Sequence, residues 1–227
     1  MPGFALQVAA LRLAFGPEAG IDIADIGVAP GSVCAISGPS GSGKSTLLYL
    51  LSGLLRADAG SILWDRDEFG GMPEGVRDRW RRHHAGFIFQ DFHLFDEMTP
   101  LQNVVLPAWF DGFSSRRFQS RAERLLADLG VPAGRKRTAL LSRGEQQRVA
   151  IARALVATPR VIFADEPTAS LDVASSKAVA GILRQASVET GCTVIVATHD
   201  PLLRQAADQV IWLEHGRLAE APRDAAA

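Results

Sequence analysis

The stretch ISGPSGSGKST, residues 36–46, limits what this chain can fold into more than any other. The apolar run GSVCAI before it reads as a short strand, and LLYLLSGLL after it reads as a helix. Glycines at such a joint let successive backbone N–H groups turn into one concavity, and the helix that begins there adds its positive dipole end. A concavity of that kind binds the oxygens of a nucleoside diphosphate. The eight residues GPSGSGKS fit the P-loop pattern: Gly38, Gly43, Lys44 and Ser45 hold the required places, with Pro39, Ser40, Gly41 and Ser42 between them and Thr46 following. Lys44 then reaches the β and γ phosphates, and the Ser45 hydroxyl can ligate Mg²⁺. The strand before and the helix after make an accidental Gly/Ser-rich turn the weaker reading.

Composition narrows the rest. Among 24 basic residues only Lys44, Lys136 and Lys177 are lysines. A lysine that survives this bias marks a site needing a compact ammonium that a planar guanidinium does not replace. The 227 residues make one large domain or a core with a smaller insert, and 47% hydrophobic content is ample for a buried core. A net charge of −1 provides no global basic field for nucleic acid or an anionic membrane. Cys34 and Cys192 lie in apolar, strand-like runs and read as buried small hydrophobes in a reducing cytosol rather than as a disulfide. No signal-peptide pattern opens the chain, and no apolar run reaches the roughly 18 residues of a membrane span, so a soluble protein able to dock on a membrane partner is expected.

Hydrophobic periodicity predicts strands in ALQVAALRLAF, IDIADIGV and SVCAIS, a helix from Lys44 to about Leu55, and a strand in GSILWD. Asp67 to Arg82 reads as a polar surface excursion, and AGFIFQ as a short buried strand. Helical patterns fill Thr99 to Leu129, with Pro107 and the DGFSS turn as breaks and a helix of about 15 residues ending near Gly130. A helix is expected from Ser142 to Pro159, then a strand in VIFADE, a helix in VASSKAVAGILRQASVET, a strand in CTVIVATHD and a closing pair in QVIWLEHG and RLAEA. The tail PRDAAA is expected to fray. Strand and helix alternate as in an α/β sheet that is mostly parallel in the second half.

RVIFADEP supplies the second chemical part. Four apolar residues deliver Asp165 to a strand end, where it can orient Mg²⁺ through water. Glu166 follows, where a carboxylate can polarise an attacking water as general base. Alone, an apolar strand ending in two acids is common; paired with a P-loop it reads as catalytic.

With LLSRGEQQRVAIARAL, residues 140–155, the chain resembles the ATP-binding subunits of ABC transporters. Their signature, Leu-Ser-Gly-Gly-Gln/Glu, precedes the Asp-Glu strand by about this distance, and the resemblance covers nearly the whole chain. It implies an α/β ABC ATPase fold: a mostly parallel core sheet, an N-terminal antiparallel β subdomain and a helical insert. Within a single domain over 1–227, about 1–90 and 159–220 would form the core and β subdomain, and about 91–158 the helical subdomain. It also implies ATP and Mg²⁺ as ligands and a head-to-tail homodimer driven by nucleotide, each ATP held between the P-loop of one copy and the signature of the other. Ser142 at a helix N-cap and Gly144 in the first turn suit that second anion site.

The remaining motifs match by position. Gln90 resembles the glutamine that touches Mg²⁺ and senses the membrane partner; Asp172 in ASLD resembles the D-loop aspartate near the dimer seam. His199 resembles the switch histidine at the γ-phosphate, and Phe15, 23 residues before Gly38, the aromatic that stacks on adenine. Arg143 departs from the pattern, standing where the first signature glycine is usual. Its side chain is read as pointing to solvent or toward the nucleotide, with a steric block on dimer closure as the rival. RDRWRRHH, residues 77–84, reads as a solvated face rather than a nucleic-acid patch, and no nucleic-acid partner is expected.

AGFIFQDFHLFDEMTPLQNVVLPA is similar to the lipoprotein-releasing and macrolide-export branch. That likeness implies ATP hydrolysis that powers an integral-membrane permease from the cytoplasmic face of the inner membrane, to which the chain binds peripherally. Gln102, where a glutamate is usual, and FDEM fall on the expected coupling surface. An amino-acid importer ATPase shares every catalytic motif and stays open as an alternative, as does a regulator of a cell-division permease.

Overall fold

Three five-residue runs, Val33–Ser37, Val161–Asp165 and Thr193–Ala197, are buried at every position. Strands apolar on both faces belong in a parallel sheet covered above and below. The structure, a computed structural model, describes residues 3–16, 19–110, 116–131, 137–169 and 171–222, with only the backbone at 109–110 and 116–117. The DGFSS turn, most of the PRDAAA tail and Ser170 of ASLD lie outside the described residues.

In chain order the elements are β1 (Leu6–Ala14), β2 (Gly20–Val28), β3 (Val33–Ser37), α1 (Lys44–Leu51), β4 (Ala59–Trp64), β5 (Asp67–Glu68), α2 (Glu74–His84) and β6 (Ala85–Ile88). Then follow α3 (Pro100–Phe110), α4 (Arg116–Asp128), a 3-10 turn at Thr138–Leu140, α5 (Arg143–Leu155), β7 (Val161–Asp165) and α6 (Val173–Thr190). The chain closes with β8 (Thr193–Ala197), α7 (Pro201–Ala206), β9 (Gln209–Glu214) and β10 (Arg217–Leu218).

One sheet runs β2-β1-β4-β5, antiparallel throughout. The other runs β10-β9-β3-β8-β7-β6, parallel from β9 to β6 and closed by the antiparallel β9–β10 hairpin. Its register aligns Ile36 with Ala197, Asp165 with Ala197, and Ile88 with Ala164. The carboxyl ends of β3, β8, β7 and β6 therefore form one rim, the edge where open parallel sheets gather their ligand-binding loops.

Between the two sheets and α1 lies the largest apolar core, with Trp64 fully buried in it. Its indole N–H donates to the Leu51 carbonyl at 2.8 Å, and its ring meets Phe163 edge-on at 5.6 Å. Truncating such a side chain costs about 3–5 kcal/mol. A second cluster packs α6 and α7 on the parallel sheet, and a third, around Val104, Leu126 and Val149, joins α3, α4 and α5. Cys34 and Cys192 are free and buried, and burial pushes the Cys34 thiol up to about 12. Among the described residues no helix is long and apolar enough to cross a membrane.

Three local expectations are corrected, and one further helix is present. The polar excursion contains α2: Trp80 is buried against Phe4, Phe69 and Trp64, and Arg77 and Arg81 are buried with ion pairs to Glu74 and, for Arg81, Asp78. RDRWRRHH is thus only partly a solvated face. Helix α1 stops at Leu51, where Ser52 and Gly53 end it, rather than near Leu55. Pro107 does not break α3, which runs through it. A short helix, α7, follows His199, with Asp200 accepting from the Leu202 N–H at its start.

Candidate functional site

Gly38 and Gly43 hold the P-loop's shape for reasons internal to the chain. Gly38 has φ +150, and a Cβ there would sit 2.0 Å from the Leu213 carbonyl oxygen. Gly43, at φ +98, is the N-cap of α1, and a Cβ there would press on Ile21 at 2.8 Å. The helix ladder begins with Leu47 N–H to the Gly43 carbonyl at 2.8 Å. The N–H groups of Lys44, Ser45 and Thr46 therefore have no partner inside the helix. Ser40 and Gly41 are exposed on the loop, and Ser42 is buried with its carbonyl accepting from Gly216 N–H. Lys44 is 8% exposed; its ammonium donates to the Gly38 carbonyl at 3.0 Å and the Pro39 carbonyl at 2.9 Å.

Strand β7 brings Asp165 under the start of α1. Ser45 Oγ donates to Asp165 Oδ1 at 2.7 Å, and the Tyr49 hydroxyl donates to Oδ2 at 2.7 Å. Tyr49 has no counterpart among the residues singled out from sequence, although it lies one helical turn beyond Ser45, on the same face. Burial raises the proton affinity of its phenol, the bond to Asp165 adds to this, and Asp165 and Asp91 contribute their charges.

Glu166 adopts φ +44, rare for a residue with a long side chain, while its N–H continues the sheet ladder to the Ala197 carbonyl at 2.9 Å. Its Oε2 lies 2.9 Å from His199 Nδ1 and its Oε1 4.0 Å from Lys44 Nζ. The P-loop lysine, the acid pair and the histidine, separated by as many as 155 residues in sequence, are thus one cluster on the carboxyl rim.

Gln90 follows β6 on the same rim with its side chain exposed. Beyond it Phe92 and His93 take left-handed φ values of 62 and 46, and Arg153 of α5 donates to both their carbonyls, at 2.6 and 2.5 Å. Burial lowers the Arg153 guanidinium to about 10. A groove of about 390 Å³ opens beside this turn, lined by Phe87, Phe89, His93, Arg82, Pro107 and Arg153. Gln102 forms a capping box with Thr99 at the start of α3, each backbone N–H meeting the other's side-chain oxygen.

Phe15 is 63% exposed at the tip of the β1–β2 hairpin and is no part of the core. A cleft of about 810 Å³ lies beside that tip, with Gly20, Ile21, Asp22, His215 and Arg217 in its walls.

Ser142 caps α5 in a capping box: Glu145 N–H donates to its Oγ at 3.3 Å, and Glu145 Oε2 accepts from its N–H at 2.8 Å. Gly144 differs from the P-loop glycines. The atoms nearest to a Cβ there are 3.5 and 3.7 Å away, ordinary contact distances. Asp172 caps α6 and accepts from the Ser175 N–H at 2.9 Å, which holds its carboxyl below the usual range. The bonds of Ser142 and Asp172 stay local and do not join the rim cluster.

The donors fit the ligands the motifs call for. A buried carboxylate beside a hydroxyl is a hard oxygen pair of the kind magnesium takes together with phosphate, and the exposed amide of Gln90 lies on the same rim. The P-loop, a lysine and a helix N-terminus suit a polyphosphate.

The ABC transporter family model matches residues 21–169. A lipoprotein-releasing system ATP-binding protein of Cereibacter sphaeroides is 43% identical, over 86% of this chain and 88% of its own length. A macrolide export ATP-binding/permease protein of Paracoccus denitrificans is 44% identical over 86% of this chain, which spans 29% of that relative. A dimeric ATP-binding cassette solved in a post-hydrolysis state with ADP and Pi superposes with a TM-score of 0.83 at 31% identity, covering 95% of this chain and 97% of its own.

Proposed function

The chain belongs to the ABC transporter family of ATPases, and on that premise we propose that it powers a permease of the lipoprotein-releasing or macrolide-export kind. The observation that carries the chemistry is the cluster of Lys44, Ser45, Asp165, Glu166 and His199 on one sheet rim.

In this reading Glu166 accepts a proton from a water whose oxygen attacks the γ-phosphorus in line, while the bond from that phosphorus to the bridging oxygen breaks and ADP leaves. Its left-handed backbone directs the carboxylate toward Lys44 and His199 rather than along the strand. Lys44 leaves the Gly38 and Pro39 carbonyls for the phosphate, and His199 holds the γ-phosphate edge. Phe15 offers its exposed ring to adenine. Ser45, Asp165 and Gln90 would hold magnesium, which would neutralise charge developing on the phosphate oxygens.

The partner copy is the second half of the site. Gly144 has room for a methyl group within its own chain, so that chain's fold does not require a glycine there, as suits a position reserved for the other copy. Leu140 and Val173, flanking Ser142 and following Asp172, are 72% and 76% exposed, as suits a seam between two copies. The aromatic and cationic groove beside Gln90 suits a cytoplasmic segment of the permease, which would hold the chain peripherally at the inner face of the membrane. The names of the relatives support the branch.

Size-exclusion of the Glu166→Gln variant tests this. It is expected to elute as a dimer with ATP and magnesium and as a monomer without nucleotide. Absence of any affinity for adenine nucleotides would overturn the reading.

A further inference from the structure

Tyr49 is the chain's one tyrosine, and it stands four residues beyond Ser45 on α1. The two side chains divide Asp165 between them: Ser45 Oγ donates to Oδ1 and the Tyr49 hydroxyl to Oδ2, each at 2.7 Å. Asp165 is 4% exposed, so neither oxygen can rely on bulk water. A buried carboxylate left with one unserved oxygen is costly and turns to find a donor. Ser45 cannot serve both oxygens, because a hydroxyl has one proton. Tyr49 holds Oδ2 while Oδ1 stays with Ser45, since its phenol reaches the other oxygen from the next turn of the helix.

We propose that Tyr49 is a positioning residue that fixes the aim of Asp165 and so sets how much magnesium strengthens nucleotide binding. This rests on the reading of Ser45 and Asp165 as the magnesium pair. The relevant quantity is a ratio, ATP affinity with magnesium over ATP affinity in EDTA, because a change in packing alone moves both affinities together. Tyr49→Phe keeps the ring and deletes the hydroxyl.

Calorimetric titration of the full chain with ATP, with magnesium and with EDTA, tests the inference. In Tyr49→Phe the magnesium ratio is expected to fall about tenfold, the effect of one hydrogen bond to a charged group. In an Asp165→Asn background, where no carboxylate remains to be aimed, the same substitution is expected to change the ratio by less than about twofold, the signature of coupled sites. An unchanged ratio in Tyr49→Phe overturns the proposal, as does an equal loss in both backgrounds. Failure of the unsubstituted chain to bind ATP in either buffer would instead overturn the nucleotide reading beneath it.

Discussion

Arg143 lays its guanidinium 4.9 Å from the centre of the Phe92 ring, tying the first turn of α5 to the segment that follows Gln90. Phe92 is itself buried, in a left-handed conformation, with its carbonyl held by Arg153 of the same helix. Two arginines of α5 therefore grip one turn from either end. Sequence alone offers solvent, the nucleotide or a steric block for Arg143; in the structure the side chain turns back on its own chain.

The parked side chain makes a prediction. Arg143→Gly is expected to shift ATPase activity by less than about fivefold, because a cation–π contact made by an exposed arginine is worth only about 0.5–1 kcal/mol. The same loss should appear as a slightly lower melting temperature. Steady-state phosphate release decides it: a large gain in rate would mean that Arg143 obstructs dimer closure after all.

The rim cluster is legible in sequence because each member sits at a fixed offset from an apolar strand: Gly38 after β3, Asp165 at the end of β7, His199 after β8. Apolar runs and glycines leave strong marks. Helix α2 leaves none, since its buried face is a single tryptophan between two arginines whose charges are paired with Glu74 and Asp78 at the surface. Helix α7 is too short to show a period. Left-handed Glu166, Phe92 and His93 cannot be anticipated either, because no glycine announces them. Tyr49 could have been found, as a lone tyrosine one turn beyond Ser45. Gln102 could have been read in another way: Thr99-x-x-Gln102 spells a capping box, which either a glutamate or a glutamine can form.

Asp208 ties the entry of the central strands to α6 and sets an acid limit on stability. Its Oδ2 accepts from the Val33 N–H at 2.9 Å and from Arg184 at 2.5 Å, and these bonds hold its carboxyl below the usual range. A group with a depressed pKa contributes stability above the unfolded-state value, near 4, and loses it as pH falls through the lower folded-state value. Asp208→Asn is expected to be less stable by about 1 kcal/mol at pH 7, a figure kept low because both ionic partners are partly exposed. Urea unfolding at pH 7 and in acid should show the gap closing as the parent loses its own advantage. A gap that stays constant with pH would mean that charge is not the cause.

Gly144→Ala separates the needs of the single chain from those of the pair. At Gly38 an added Cβ would strike backbone 2.0 Å away, so alanine there damages the fold itself. At Gly144 the nearest atoms are the ends of Arg148 and Ser175, at 3.5 and 3.7 Å, and the residue lies within helix α5. Alanine is a better helix former than glycine, by up to about 0.5–1 kcal/mol in a helix interior. The variant should therefore unfold at the parent's urea concentration or slightly above it, and bind ATP as a monomer with unchanged affinity. Its ATPase rate should nevertheless fall about tenfold or more, as when one interaction with developing phosphate charge is lost. Stability and turnover moving in opposite directions would identify Gly144 as kept open for another copy; a matching loss of stability would return it to the fold of its own chain.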